Sequence, residues 1–134
     1  MTQQEHEEYV RSKWKHVEVH RELIAQGVNA GFKWWILIVG VGRMNSCITE
    51  VAAWQAAYDF TVAREEEIRQ LKAEIEALQR NSYAGSDKFA EYIREEPNAA
   101  ERIIHHCRLS RILARLQRDL AELTKDMVQP VLRD

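Results

Sequence analysis

FKWWILIVGVG, residues 32–42, sets two tryptophans, a phenylalanine and four β-branched side chains between Gly31 and Gly42. That composition suits the pleated surface of a buried strand better than a helix. Upstream, Lys15, Val17, Val19, Arg21 and Leu23 alternate with Trp14, His16, Glu18 and His20, the two-residue period of a half-exposed strand. Gly27, Asn29 and Gly31 supply turn chemistry between the two runs. A β-hairpin with one apolar face follows, with a short helix opening the chain. Such a hairpin is too small to stand alone and needs helices packed on it.

After this stretch the period becomes helical. Ser46 and Thr49 are N-cap candidates, and no Gly or Pro recurs before Gly85, so a long helix is expected over 47–80. Ile68, Leu71, Ile75 and Leu78 form a 3-4-3 seam that extrapolates back through Arg64, Thr61, Ala57 and Trp54. The polar seam positions Thr61 and Arg64 imply that the partner helix ends before that level; the other reading is a cavity that wants a polar group. NSYAGSDKF (81–89) breaks the helix, and FAEYIREEPN suggests a brief helix stopped before Pro97, giving a linker over 81–98. Asn98, with Glu101 as capping-box partner, opens a last helix over 99–129 that Pro130 closes. Its apolar ridge is Leu109, Leu113, Leu116, Leu120, Leu123 and Met127. The expected fold is α+β and a single domain: a small N-terminal antiparallel β-sheet or hairpin within 1–46, then two long antiparallel α-helices.

A chain of 134 residues with 46% hydrophobic content and a mean hydropathy of −0.47 reads as a globular domain with a modest core. No apolar run approaches the ~18 residues of a membrane span, and MTQQEHEEY lacks the layout of a signal peptide, so a cytoplasmic location and no membrane partner are expected. Cys47 and Cys107 stand far apart and read as two reduced thiols. His105, His106 and Cys107 would diverge on a helix, so no metal site is expected there.

Arg108, Arg111, Arg115 and Arg118 recur at spacings of 3, 4 and 3, which places them on one helical ridge. Residues 102–118 carry five arginines, two histidines and no acidic residue. A charge run on a helix is ordinarily a solvated face, but such a face interleaves Glu with its cations, as residues 65–80 do and this segment does not. The ridge lies roughly 140° around the helix from the leucines. Its arginine forks suit phosphate held bidentately. The net charge of −2 argues against an extended nucleic-acid track and leaves a small phosphate-bearing ligand. Tyr83, Phe89, Tyr92 and Asn98, in the linker, are the nearby candidates for ring stacking and a polar contact, beside their plainer role of pinning the turn.

No catalytic constellation emerges. GVGR at 40–43 lacks the spacing and lysine of a P-loop, no serine sits in a nucleophile elbow, and Glu65, Glu66 and Glu67 are an ordinary charge run. His16 and His20 would have metal-ligand spacing only on a helix, and they fall on a strand. Binding without catalysis and without a cofactor is the expectation.

The opening EEYVRSKWKHVEV, the two glycine-bounded strands, AAWQAAYDFTVAREEEI and a last helix bearing RLSRILAR resemble small phage proteins of the first type of Thoeris anti-defence sponge. The resemblance covers nearly the whole chain. It implies sequestration, without degradation, of a cyclic ADP-ribose isomer made by bacterial TIR-domain enzymes, in some members alongside cyclic oligonucleotides. It also implies a homo-oligomer, a dimer or a larger assembly such as a hexamer, in the cytoplasm of a host bacterium. The family's paired helix arginines would fall on Arg111 and Arg115, with Arg108 flanking them. Tyr83 and Asn98 are the nearest counterparts of its aromatic and asparagine contacts, and Arg64 of its arginine from the first long helix. A homo-oligomer also fits the apolar surface that Trp34, Trp35 and the leucine seam present. The alternatives are a protein-binding inhibitor of a bacterial defence nuclease, with the arginine ridge docked on an acidic surface, and a structural coiled-coil oligomerisation module.

Overall fold

The computed structural model describes residues 1–24, 31–83, 88–94 and 98–129. The turn residues Gly27 and Asn29, and Gly85, Pro97 and Pro130, lie outside them. The fold is α+β, a three-stranded antiparallel sheet followed by long helices. Its contacts group into two compact units, one of residues 1–65 with 124–134 and one of residues 66–123.

The first unit opens with helix α1 (Gln3–Lys13), held by a reciprocal capping box in which Glu5 N–H donates to Thr2 Oγ1 (3.2 Å) and Thr2 N–H to the Glu5 carboxylate (3.3 Å). Residues one turn apart, His6 and Val10, form its buried stripe. Trp14 then turns extended and leads into β1 (Val17–Ile24). β1 pairs with β2 (Gly31–Ile38) from Val17↔Ile38 to Ile24↔Gly31. β2 stops at Ile38 and does not run to residue 42. Gly40 takes φ +92°, open to glycine, and Val41 N–H returns to Ile38 O at 3.0 Å, so the end of FKWWILIVGVG is a turn into the two-residue β3 (Gly42–Arg43). Of the expected antiparallel sheet or hairpin, the chain forms the sheet, with three strands in the order β1-β2-β3.

Alternation along β2 buries Ile36 and Ile38 fully. They join Val10, Trp14, Ala53, Trp54, Ala57, Thr61 and Met127 among the buried residues of this unit. Helix α2 (Glu50–Asn81) supplies four of these, and Thr49 starts it, accepting from Ala52 N–H through Oγ1 at 3.2 Å. Thr61 is polar for a local reason: its hydroxyl accepts the Trp14 indole N–H at 2.9 Å and donates to Ala57 O at 2.7 Å. The buried tryptophan of the α1–β1 corner thus meets the seam at this level, and Arg64 lies over the Trp14 and Phe60 rings, 5.9 and 5.2 Å from their centroids.

The second unit is a helical hairpin. Ile75 of α2 and Leu113 of α4 (Ala99–Thr124) are its buried centre, flanked by Leu71, Leu78, Leu109, Leu116 and Leu120. Asn81 and Ser82 come beside His105 and His106 while Ile75 meets Leu113, so the two helices run antiparallel here. The short α3 (Lys88–Ile93) lies in the linker. α4 ends at Thr124 and does not extend to 129, because the following backbone is taken up in the first unit. There Lys15 N–H donates to Asp126 O (3.0 Å), Val128 N–H donates to Lys13 O (2.8 Å), and Met127 forms a β-bridge with Trp14.

Candidate functional site

The arginine ladder is laid out on α4 as its spacing requires. Arg108, Arg111, Arg115 and Arg118 are all exposed, and among the described residues none has a salt bridge, hydrogen bond or ring partner. Helix α2 shows the contrast: Arg69 is paired with Glu66 and Arg80 with Glu76, each one turn away. Ile104 and Ile112, 54% and 39% exposed, stand beside the ladder. The outer face of α4 is thus cationic and apolar together.

A separate concavity of about 230 Å³ lies where the linker meets the helices, lined by Asn81, Ser82, Tyr83, Phe89, Tyr92, Arg102, His105, His106 and Leu109. Tyr83 and Tyr92 stack at 5.0 Å, and Phe89 lies flat on the His106 ring at 3.7 Å and 5°. Arg102 lies over the Tyr92 ring (5.5 Å) and donates to its hydroxyl, while the His106 ring nitrogen meets Ser110 Oγ at 3.4 Å. Whole-ligand sites run to roughly 300–1,000 Å³, so this pocket suits one flat ring with a polar edge.

Of the residues singled out from sequence, Tyr83 lines this pocket, with Phe89 and Tyr92 beside it. Asn98 is exposed just ahead of α4, where its carbonyl accepts Arg102 N–H at 3.2 Å. Arg64 belongs to the first unit. Arg102 was not singled out, and His105 and His106 were weighed only as metal ligands, although a signal for the pocket existed. The leucine ridge, continued back from Leu109 at spacings of 3 and 4, reaches His106 and Arg102, so polar residues occupy seam positions where the hairpin opens. Those pocket residues share the leucine face of α4. At about 100° per residue the ladder lies roughly 150° away, on the opposite side of a helix some 10 Å thick.

Among the described residues, Glu18 and Glu5 of the first unit are shifted. His20 and His16 hold the Glu18 carboxyl below its ordinary range through hydrogen bonds of 2.9 and 3.0 Å, and the Thr2 backbone and hydroxyl do the same for Glu5. No group of three metal-ligating side chains converges among the described residues, and none of their helices is long and apolar enough to cross a membrane.

No family model matches this chain, and no curated protein or solved structure is similar to it.

Proposed function

We propose that this protein is an anti-defence sponge that binds a cyclic ADP-ribose isomer and holds it without a chemical step. The observation that carries the reading is the ladder: four exposed guanidinium groups on one helix with no carboxylate partner among the described residues. Arg111 and Arg115, one turn apart, are spaced to share a pyrophosphate, each fork offering paired N–H donors. The aromatic pocket supports the reading with stacking rings for a base and with Ser82, Asn81 and His105 for its edge. Because ladder and pocket occupy opposite faces of α4, a ligand touching both takes them from two subunits of a homo-oligomer. Burial between subunits is what tight capture of a small ligand needs. The resemblance of the opening segment and the last helix to the sponge family points the same way.

The test is incubation with the cyclic product of a TIR-domain enzyme, followed by a melting curve and mass spectrometry of what is released on heating. The protein is expected to melt higher with the ligand and to release it intact. Arg111→Ala with Arg115→Ala should abolish both effects while leaving the unliganded melting point within a few degrees, since exposed side chains contribute within roughly 0.5 kcal/mol each. No stabilisation and no released nucleotide would refute the reading. A second reading, an inhibitor of a defence nuclease, is favoured by Ile104 and Ile112 beside the arginines, the mixture typical of protein contacts. Such a protein would ignore the nucleotide yet still need Arg111 and Arg115.

A further inference from the structure

Among the described residues β1 is the outer strand of the sheet, paired on one side with β2 and on the other with no strand. Two hydrogen bonds tell which of its backbone groups face outward. His16, opposite Val39 in the continued register, accepts Val39 N–H at 3.1 Å, so the even-numbered residues turn their backbone toward β2. Val17 O instead accepts the Arg11 guanidinium at 3.2 Å. The N–H and C=O groups of Val19, Arg21 and Leu23 therefore point out of the sheet. The eight-residue strand has no proline and its pairing runs without a bulge; the charges it carries, Glu18, Arg21 and Glu22, are what would keep it from pairing out of register. Val19, Leu23 and Ile24 are 38%, 58% and 44% exposed.

We propose that this edge pairs antiparallel with β1 of a second copy of this chain, about a two-fold axis at Arg21. A two-fold pairing must set residues of equal parity opposite one another, which leaves few registers. Centred on His20, it would set Glu18 against Glu22 of the other copy twice; centred on Glu22, it would set Glu22 against itself. Centred on Arg21, it sets His20 against Glu22 twice and Val19 against Leu23 twice, so an imidazole faces a carboxylate and apolar side chains face each other. The central arginines do not collide, because each guanidinium leans inward over Phe32 (4.6 Å) and Trp34 (5.7 Å) of its own sheet. Pairs Arg21 with Arg21, and Val19 with Leu23, then exchange backbone hydrogen bonds across the axis. Two three-stranded sheets become one of six, and the exposed side chains of Val19 and Leu23 meet across the axis.

The full-length chain should sediment as a dimer or larger. Val19→Pro removes an outward N–H and no β1–β2 hydrogen bond, and should lower the mass by at least one association step. A monomeric unaltered chain at its highest soluble concentration, or a folded Val19→Pro chain of unchanged mass, would overturn the proposal. Cross-linking reads the register and does not depend on the proline variant folding. With Cys47→Ala and Cys107→Ser in place, Arg21→Cys puts two thiols on the axis with Cα atoms about 5.5 Å apart, within disulfide reach. A covalent dimer of Arg21→Cys, and little of His20→Cys or Glu22→Cys, is expected. Equal or greater cross-linking at His20 or Glu22 would overturn the register.

Discussion

Trp14 is 2% exposed and Thr61 wholly buried, so the 2.9 Å hydrogen bond between them is insulated from water and has no substitute partner. Thr61→Val keeps the volume and removes the acceptor. It should destabilise the first unit by about 1–3 kcal/mol, the penalty of an unpaired buried donor. In the double variant with Trp14→Phe the two losses should sum to more than the combined effect, because the second change removes the orphaned N–H. Urea unfolding of the single and double variants measures the coupling. Glu18 offers a pH handle. Its folded carboxyl is held below the unfolded value, first by His20 and then by His16, so its stabilisation is present above the ordinary carboxylate range and lost as pH falls through the lowered value. Glu18→Gln should flatten the acid limb of a melting-temperature profile below about pH 4. An unchanged acid limb would exclude the pair as a contributor.

At the scale of elements, the hairpin of α2 and α4 has a narrow core whose one residue of α4 buried to 4% is Leu113. Leu113→Ala should cost about 2–4 kcal/mol and do so in this unit, read from the loss of hydrogen-exchange protection along α4. This element was legible in sequence, because a 3-4 leucine period sustained over several turns has few other uses. The sheet was legible in part. Alternation gave away β1 and the aromatic run gave away β2, but the place where β2 stops depends on Gly40 adopting positive φ, and a glycine within an apolar run does not announce whether its φ is used. The end of α4 was hidden differently. Pro130 marks where a helix must stop, whereas Thr124 is where this one does stop, because backbone pairing with Lys13 and Lys15 competes for the next residues. That competitor lies more than a hundred positions away in the chain, outside any local pattern. The ladder was legible because missing carboxylates can be counted. The aromatic pocket was only half so: its tyrosines stand in the linker in plain view, but Arg102 and His106 join them through the packing of the hairpin.

For the molecule as a whole, residues 124–129 return to the unit that holds α1 and the sheet, pairing beside Lys13, Trp14 and Lys15, while the second half of α2 and α4 build the other. A chain ending at Leu123 keeps the hairpin and loses the 7%-exposed Met127 from against Trp14. It should lose on the order of 2–4 kcal/mol from the first unit, comparable to deleting one large core side chain. A truncated chain melting with the intact one would show that segment to be an ornament. The same division partitions the chromophores. All four tryptophans, Trp14, Trp34, Trp35 and Trp54, fall in the first unit, while the hairpin carries Tyr83 and Tyr92. Indole emission therefore reports the unfolding of the sheet and its helices, and backbone ellipticity adds the hairpin. Coincident transitions by the two signals would mark a single cooperative molecule, and a lag between them would time the two halves separately without any label being attached.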